Sequence, residues 1–379
     1  MKNLINVVLA ITLSSFMFAQ GVFDQYDIPE YDYRTFQVSG DDLFNMVSAG
    51  ETSTMNIGLG ADYMSMSQSP GYNCMYGLDF DFAMWSESTE AADTSTSNWN
   101  MSVPFEVSKY FGGTKGAFGF ADGNFYMWGG DQVEEGDDDT SDLWLKVGAG
   151  YGRIVSARPV AQAYAIADAL GIDGSDETIL AIASVLGASG SYASIYKDDA
   201  TQQFYNDLAD AAGSSGSAMQ IQKVLTSPAY NISDRFTGYR VRASLYDNYM
   251  RAEGDETEGD LLVEADYAMP MGMDGQLSVG GEYGMNMAED GATNMGLDLT
   301  YTLDHSYNWA TVASFDYDSE TTGDDTTSDI TLSASTTYAI LNQMSVTGSF
   351  GYVMPNDGND DTDDDATMSI SAKVTYWVF

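Results

Sequence analysis

The sequence has one cysteine, one histidine and few basic residues. One cysteine excludes an internal disulfide framework, and no Cys/His cluster has the spacing of a zinc site. The 379 residues carry 14 Lys and Arg against 57 Asp and Glu, a formal net charge of −43. This excess of negative charge argues against binding to the phosphate backbone of nucleic acids. Aromatic residues, by contrast, make up 13% of the chain, more than a disordered acidic chain carries.

The first twenty residues, MKNLINVVLAITLSSFMFAQ, have the composition of an export signal. Lys2 precedes an apolar run over residues 4–13, and small and polar residues follow up to Ala19. We therefore expect a secretory signal peptide at residues 1–19, cleaved after Ala19. A membrane anchor is the alternative, but the run is short for a bilayer, and no later segment approaches about 20 continuous apolar residues.

Most of the chain alternates between apolar and polar or small residues. In CMYGLDFDFAMW, residues 74–85, every second residue is apolar, and the residues between are small or charged. A period of two predicts strands with one apolar and one polar face. The pattern recurs at residues 55–63, 74–84, 99–107, 117–129, 143–151, 239–245, 261–269, 277–287, 295–303, 309–317, 330–338, 344–354 and 368–378. With a candidate at residues 43–47, the sequence predicts about fourteen strands, within a range of 12–16.

The connections between these strands alternate between short turns and longer acidic loops, such as residues 86–97, 130–142, 253–259, 318–329 and 355–366. This asymmetry is typical of membrane β-barrels, whose strands have turns at one end and loops at the other. Strands that run toward the short turns finish with tyrosine in the apolar phase. Such tyrosines predict an aromatic girdle at one membrane interface. They are Tyr63, Tyr151, Tyr267, Tyr301, Tyr338 and Tyr376.

Residues 156–232 break the alternation and read as helices. ARPVAQAYAIADAL is rich in alanine, and the segment around residues 176–187 carries one apolar stripe at helical spacing. The alternation of connections places this insertion at the short-turn end. It is either a small periplasmic domain that covers the mouth or a plug inside the barrel, and its length favours the domain.

The sequence ends in MSISAKVTYWVF, with Trp377 two residues before the terminal Phe379. A terminal aromatic strand of this kind is similar to the assembly signal of bacterial outer-membrane β-barrel proteins. With the export signal and the amphipathic strands, the chain resembles that class, porins included, from about residue 43 to its end. The resemblance implies a closed antiparallel barrel in the outer membrane of a Gram-negative bacterium, in contact with lipid and inserted by the barrel assembly machinery. The sequence leaves the oligomeric state open, including a homo-oligomer. A soluble exported β-sandwich or β-helix would also explain the alternation.

The expected organisation has five parts. A signal peptide covers residues 1–19, and an N-terminal periplasmic segment or hatch covers residues 20–42. Barrel strands occupy residues 43–155 and 233–379, on either side of the helical insertion at 156–232. A barrel of about fourteen strands is too wide for its wall side chains to fill, so water, a solute, the N-terminal segment or the insertion must occupy it.

The polar phase of the strands predicts the residues that face the barrel interior. They are Asp79, Asp81, Glu106, Lys146, Arg240, Arg242, Glu264, Asp266, Glu282, Asp298 and Asp316. One interpretation is a water-filled pore whose acidic walls concentrate cations. The other is that Arg240 and Arg242 pair with Glu264 and Asp266 on the neighbouring strand and brace a narrow or blocked interior. Both can hold together.

Two further kinds of chemistry have weaker signals. Asp357, Asn359 and Asp361 have the odd-position spacing of an EF-hand loop, but Thr362 and Met368 replace the turn glycine and the bidentate glutamate. Loosely bound Ca²⁺ or Mg²⁺ at the acidic loops is an alternative to a solvated charge run, and no other cofactor is expected. The only histidine, His305, lies in a predicted short turn, so a His-dependent catalytic mechanism lacks its base, and no enzyme is expected.

The sequence thus favours a porin-like channel for passive diffusion of small solutes, with a preference for cations. A closed structural or surface-interaction barrel that presents acidic loops to partners is the alternative.

Overall fold

The structure, a computed structural model, describes residues 21–27, 30–39, 45–49, 52–88, 93–130, 141–227, 233–248, 259–287, 291–323, 325–341, 344–356 and 366–376. The predicted signal peptide at residues 1–19 lies outside these ranges. The described residues form one large antiparallel sheet and one helical insertion.

The strands match the alternating segments and extend beyond them at both ends. Their bounds are β1 Tyr31–Ser39, β2 Asn45–Ala49, β3 Thr52–Ser69, β4 Tyr72–Ser88, β5 Asp93–Phe111, β6 Ala117–Gly130, β7 Ser141–Ser156, β8 Phe236–Asn248, β9 Asp260–Met271, β10 Gly275–Asn286, β11 Thr293–Ser306, β12 Trp309–Thr322, β13 Asp325–Leu341, β14 Met344–Asn356 and β15 Thr367–Tyr376. From β3 onward each strand pairs antiparallel with the next in sequence. Since β1 and β2 both pair with β3, at different points along its length, they occupy one position at the sheet edge. The sheet is therefore fourteen positions wide, as predicted.

The strand β1 corrects the prediction for residues 20–42. Rather than an inward hatch, residues 31–39 form an edge strand that pairs with residues 60–68 of β3. Phe36 and Val38 continue the apolar face of β3, where they lie opposite Tyr63 and Ala61. The alternation was hidden in the sequence because Asp32 and Arg34 occupy the same phase as Phe36 and Val38.

Two predicted loops are also wrong. The segment 86–97 is mostly strand, since β4 runs to Ser88 and β5 begins at Asp93. The segment 318–329 is strand for most of its length, since β12 runs to Thr322 and β13 begins at Asp325. Threonine is frequent here, and β-branched side chains favour the extended backbone. The pairing continues to Thr322 opposite Asp325, and Thr321 and Thr326 share a side-chain hydrogen bond of 3.0 Å.

The register gives the sheet one apolar and one polar face. Ile57 lies opposite Met84 and Leu59 opposite Phe82, while Gly60 lies opposite Asp81 in the other phase. The apolar face is exposed along most of the sheet; its exposed large side chains include Leu59, Leu78, Val107, Val147, Val241, Leu245, Val263, Met285, Leu332, Phe350 and Ile370. A soluble protein rarely leaves so continuous an apolar surface uncovered.

The polar face is concave. Lys146 on β7 reaches Glu264 on β9, two strands away, with its ammonium 3.6 Å from the carboxylate. Arg153, also on β7, donates a hydrogen bond of 3.2 Å to the carbonyl of Ser69 at the end of β3. Such long-range contacts require the sheet to curve around its polar face. No pairing of β15 with β1 or β2 is recorded among the described residues, so closure of the barrel stays a prediction.

The insertion between β7 and β8 is helical, as predicted. A short helix, α1 Val22–Gln25, lies before β1 in the N-terminal segment. The helices of the insertion are α2 Arg158–Leu170, α3 Asp176–Gly187, α4 Ser189–Tyr196, α5 Ala200–Ala211 and α6 Ala218–Thr226. No single helix among the residues described has the length and apolar composition to cross a bilayer, although Asp176–Gly187 and Ser189–Ala211 meet that test as one bent pair.

The helices enclose a small hydrophobic core of their own. Ile166, Ile179, Ile182 and Leu208 are fully buried in it. The N-terminal segment joins the same core through Val22 and Tyr26. The insertion leaves β7 and enters β8 at the end of the sheet that carries the short turns, so it lies at the short-turn mouth.

Truncation of a fully buried side chain tests this core. Leu208→Ala should lower the free energy of unfolding of the insertion by about 3 kcal/mol, because it removes apolar burial and leaves a cavity. Met219→Ala is the matched control, since Met219 is 84% exposed, and it should change stability by less than about 0.5 kcal/mol. The measurement is the loss of helical circular dichroism in denaturant; equal effects of the two variants would contradict the assigned core.

The insertion should also be sensitive to alkaline pH. Burial raises the pKa of Tyr192, and its hydrogen bond to Asp207 raises it further. Burial likewise raises the pKa of Tyr26 and Tyr205. The unfolded chain releases these protons near pH 10 whereas the folded insertion keeps them, so stability is full below about pH 10 and falls above it. Tyr192→Phe should move the loss of helical signal to higher pH, and a pH-independent helical signal up to about pH 12 would contradict this.

Candidate functional site

The eleven residues predicted to face the interior all lie on the concave, polar face. The register connects them through residue pairs that share this face, from Asp79 opposite Asp62 to Asp298 opposite Asp316. The full set is Asp79, Asp81, Glu106, Lys146, Arg240, Arg242, Glu264, Asp266, Glu282, Asp298 and Asp316. A period of two places them together, because each is an even number of residues from the others on its strand.

The bases of this set are concentrated on β7 and β8, where they form ion pairs. Arg242 donates to the Glu264 carboxylate over 2.6 Å, and Arg240 donates to Asp266 over 3.0 Å. The prediction that these arginines pair with the acids on the neighbouring strand is therefore confirmed. A third base, Lys146, shares Glu264 with Arg242. This strip of the wall is close to electrical neutrality.

Glycines on β7 make room for the strip. Gly148 lies on the inner face beside the Phe120 ring of β6, and a Cβ there would come within 2.8 Å of that ring. The Arg242 guanidinium lies over the Phe120 ring, 5.3 Å from its centre. The cation is thus held by a carboxylate and by an aromatic face.

The wall formed by β10, β11 and β12 is acidic and carries no base among the described residues. Glu282, Asp298, Asp316 and Asp318 line a depression of about 220 Å³ that also reaches Glu264 and Asp266 of the paired strip. Across the sheet, Asp62, Asp79 and Asp81 form a second acidic patch on β3 and β4. The inner face therefore combines one neutralised strip with two uncompensated acidic regions.

Sequence reasoning missed three residues of this face and one of its cations. Asp122 lies 3.9 Å from Arg242, yet its strand reads irregularly because Phe118 and Phe120 occupy the inner phase. Asp62 is in the polar phase of a predicted strand, so alternation alone could have identified it. Asp318 continues the polar phase of Asp316, but it lies in the segment 318–329 that was predicted as a loop. Arg153 could not have been found this way, because it shares the register phase of the apolar residues.

The predicted girdle tyrosines lie on the apolar face, near the short-turn ends of their strands. The Tyr151 ring lies beside that of Tyr239 on the next strand, tilted by 31° with ring centres 6.3 Å apart. The others whose side chains are described pair with apolar residues; they are Tyr63, Tyr267, Tyr301 and Tyr338. The backbone of Tyr376 lies opposite Met344 in the same phase. Their role at a membrane interface stays a prediction.

Other predicted sites lie outside the described residues. These are the weak metal candidates Asp357, Asn359 and Asp361 and the terminal residues Trp377 and Phe379. Within the described part of the chain, no group of three or more His, Cys, Asp or Glu side chains is placed to hold a metal ion. His305 contacts Thr311, with 2.9 Å between its Nε2 and the hydroxyl, and its ring lies against Trp309.

A buried arginine fixes to the short-turn rim the point where the chain leaves the helical insertion and enters β8. The Arg235 side chain is fully buried, and its backbone carbonyl accepts a hydrogen bond from the N–H of Ala157 at the start of the insertion. Its Nη2 donates to Asp304 over 2.8 Å and to the carbonyl of Met273 over 3.1 Å. Ser233 donates a further hydrogen bond to Asp304. Two turns and the insertion thus share one buried ion pair.

Comparisons with known proteins add little to this description. No protein-family model matches the sequence, and no curated protein sequence matches it. Among solved structures, it is similar to the translocator domain of the autotransporter NalP from Neisseria meningitidis at 10% identity and a TM-score of 0.25, covering 98% of each chain. For the β-domain of the Bordetella autotransporter BrkA the identity is 11% and the TM-score 0.27, with 92% of this chain and 99% of that chain covered. For OmpT, an outer membrane protein of Vibrio cholerae, they are 10% and 0.33, with 92% and 98% covered. With TM-scores below 0.5, these similarities do not by themselves assign a fold or a function to this chain.

Removal of the buried arginine tests the attachment of the insertion. Arg235→Ala should lower the free energy of unfolding of the insertion by about 3 kcal/mol, because Asp304 loses its cation in a buried setting. Arg158→Ala is the control, since its pair with Asp234 is about half exposed and exposed pairs contribute at most about 1 kcal/mol. Thermal unfolding followed by helical circular dichroism compares them. Similar small losses would show that Arg235 does not anchor the insertion.

Proposed function

We propose that the chain is an outer-membrane β-barrel of a Gram-negative bacterium that works as a porin-like channel, for passive diffusion of small solutes with a preference for cations. The observation that carries this proposal is the division of one curved sheet into two faces. Its convex face is apolar and exposed, and its concave face is acidic on β10 to β12 without a compensating base in the described residues.

The convex face supports a membrane location. Fourteen neighbouring positions present large aliphatic and aromatic side chains outward. Exposing such a face costs free energy in water but not in contact with lipid chains. Most strands have 12–19 residues, more than the roughly 9–11 that a tilted strand needs to cross a bilayer. The strands extend past the apolar band mainly at the end opposite the short turns, where the chain is acidic.

The concave face supports conduction. A barrel of fourteen strands is wider than one of eight, which its own side chains just fill. The uncompensated carboxylates of Glu282, Asp298, Asp316 and Asp318 create a negative potential that raises the local concentration of cations and lowers that of anions. The paired strip on β7 to β9 contributes little net charge, so selectivity depends on the acidic walls.

The alternative, a closed structural barrel, has an observation of its own. The helical insertion lies at the short-turn mouth and is fastened there by the buried Arg235–Asp304 pair. If the insertion seals the mouth, the barrel conducts nothing and its role is to stabilise the envelope or to present acidic loops to partners. Conductance measurement separates the two functions.

Charge removal in the acidic wall tests the channel. The purified protein in planar bilayers should show stepwise currents with a reversal potential on the cation side. Asp298→Asn together with Asp316→Asn should lower the ratio of cation to anion permeability by roughly threefold, because two fixed charges leave the wall. Asp199→Asn and Asp210→Asn together remove the same charge from exposed positions on the insertion and should leave the ratio unchanged.

Each outcome is decisive. A silent bilayer, with folding verified by its β-sheet circular dichroism, would support the structural barrel. Equal effects of the two double variants would show that selectivity does not arise at the acidic wall.

A further inference from the structure

A cavity of about 610 Å³ lies between the concave face of the sheet and the helical insertion. It is large enough for a small organic molecule. Its wall is aromatic on the side of the sheet and the N-terminal segment, through Tyr26, Tyr31, Tyr33, Tyr110 and Phe118. The start of helix α4, at Ser189 and Gly190, borders the cavity beside Tyr31 and Tyr33.

The cavity contains a buried cation without a carboxylate partner. Arg153 is 5% exposed, and none of the ion pairs among the described residues includes it. Its guanidinium lies 4.5 Å from the centre of the Tyr110 ring. Its recorded hydrogen bonds run from Nη1 to the carbonyls of Ser69 and Pro70. The Nε and Nη2 donors have no partner within the described part of the chain.

The backbone is shaped to bring Arg153 to this place. By register, Arg153 belongs to the apolar phase, opposite Tyr239. Gly152 just before it has a φ of +92°, and Gly238 on the facing strand has a φ of +114°. These values are unfavourable for residues with a Cβ, so the two glycines permit a local change of twist. The change turns Arg153 from the lipid side into the cavity.

The other two arginines that line the cavity already have carboxylate partners. Arg240 pairs with Asp266, and Arg158 pairs with Asp234. Glu106 is the one carboxylate among the lining residues, and it lies on β5, opposite Asp122 of β6. Arg153 is therefore the cation in this cavity that still lacks an anion.

We propose that this cavity binds a small organic anion that carries a carboxylate on a planar apolar ring. The carboxylate pairs with the free Nε and Nη2 donors of Arg153, whose planar fork matches a carboxylate with two parallel hydrogen bonds. The ring lies among Tyr31, Tyr33 and Tyr110, where aromatic side chains offer offset or edge contacts. In a chain with a net charge of −43, this is a local site for an anion. The proposal does not depend on conduction.

Binding of benzoate to the full-length protein, folded in detergent micelles, tests the site by isothermal titration calorimetry. Benzylamine and benzyl alcohol have a similar ring with a positive and a neutral group. We expect saturable binding of benzoate, and affinities at least about tenfold weaker for the other two, because only the carboxylate satisfies the buried cation. Saturable binding of benzylamine as tight as that of benzoate, or no saturable benzoate binding, would overturn the proposal.

Two variants locate the site. Arg153→Gln removes the cation and should weaken benzoate binding at least about tenfold. Because Arg153 also holds the turn at Ser69, Ser189→Trp provides a second route: it fills the cavity from helix α4 and leaves the arginine in place. It should abolish binding, whereas Ser194→Trp, on the same helix but outside the cavity, should bind as the wild type does.

Benzoate binding is compared only among variants whose β-sheet circular dichroism shows that they are folded. If Arg153→Gln does not fold, Ser189→Trp against Ser194→Trp decides. Unchanged benzoate affinity in Ser189→Trp, or in a folded Arg153→Gln, would refute a site in this cavity.

Discussion

The pairing of backbone N–H and C=O groups from one strand to the next is the constraint on which the rest of this structure depends. The antiparallel ladder runs from each strand to the next between β3 and β15, so the faces of the sheet are set by the register. A shift of the register by one residue would exchange the two faces. Hydrocarbon gives the backbone no alternative partner, so the ladder must be continuous wherever the apolar face is in lipid. The positions of the wall charges other than Arg153 follow from that register.

The inner face is uneven because charge of one sign predominates in this chain. With so few bases, the described residues contain one neutralised strip of the wall, formed by Lys146, Arg240 and Arg242. Carboxylates elsewhere, such as Asp298 and Asp316, repel one another. Their charged form is stable only in contact with water or mobile cations. The ion pairs brace the wall on one side, and the uncompensated acids define an electrostatic path on the other. Bracing and cation attraction are therefore compatible in one lumen.

Period-two alternation made the strands, their faces and the ion pairs of Arg240 and Arg242 predictable, because paired residues on one face are set by sequence parity. It failed where a charged residue takes an apolar position, as in β1, and where aromatic residues take the inner phase, as in β6. The contacts of Arg153 and Arg235 were beyond prediction for another reason. Each depends on which turns the curvature of the sheet brings together, and on glycine twists, and neither leaves a periodic signal. Closure of the barrel and the acidic loop residues stay predictions.

The insertion is attached around the mouth at separate points, which limits how it can move. Asp24 of the N-terminal segment, whose Val22 and Tyr26 join the core of the insertion, accepts a hydrogen bond from Thr237 on β8. Ser191 of helix α4 accepts one from the backbone of Asp32 on β1. With the Arg235–Asp304 pair near the β11–β12 turn, the attachments reach strands that lie far apart in the sheet order. Displacement of the insertion and the N-terminal segment from the mouth would break the hydrogen bonds that they make to β1 and β8. The cavity that contains Arg153 lies beneath the insertion. An anion bound there would lie between the lumen and the mouth, where it could alter the local potential without any movement of the helices.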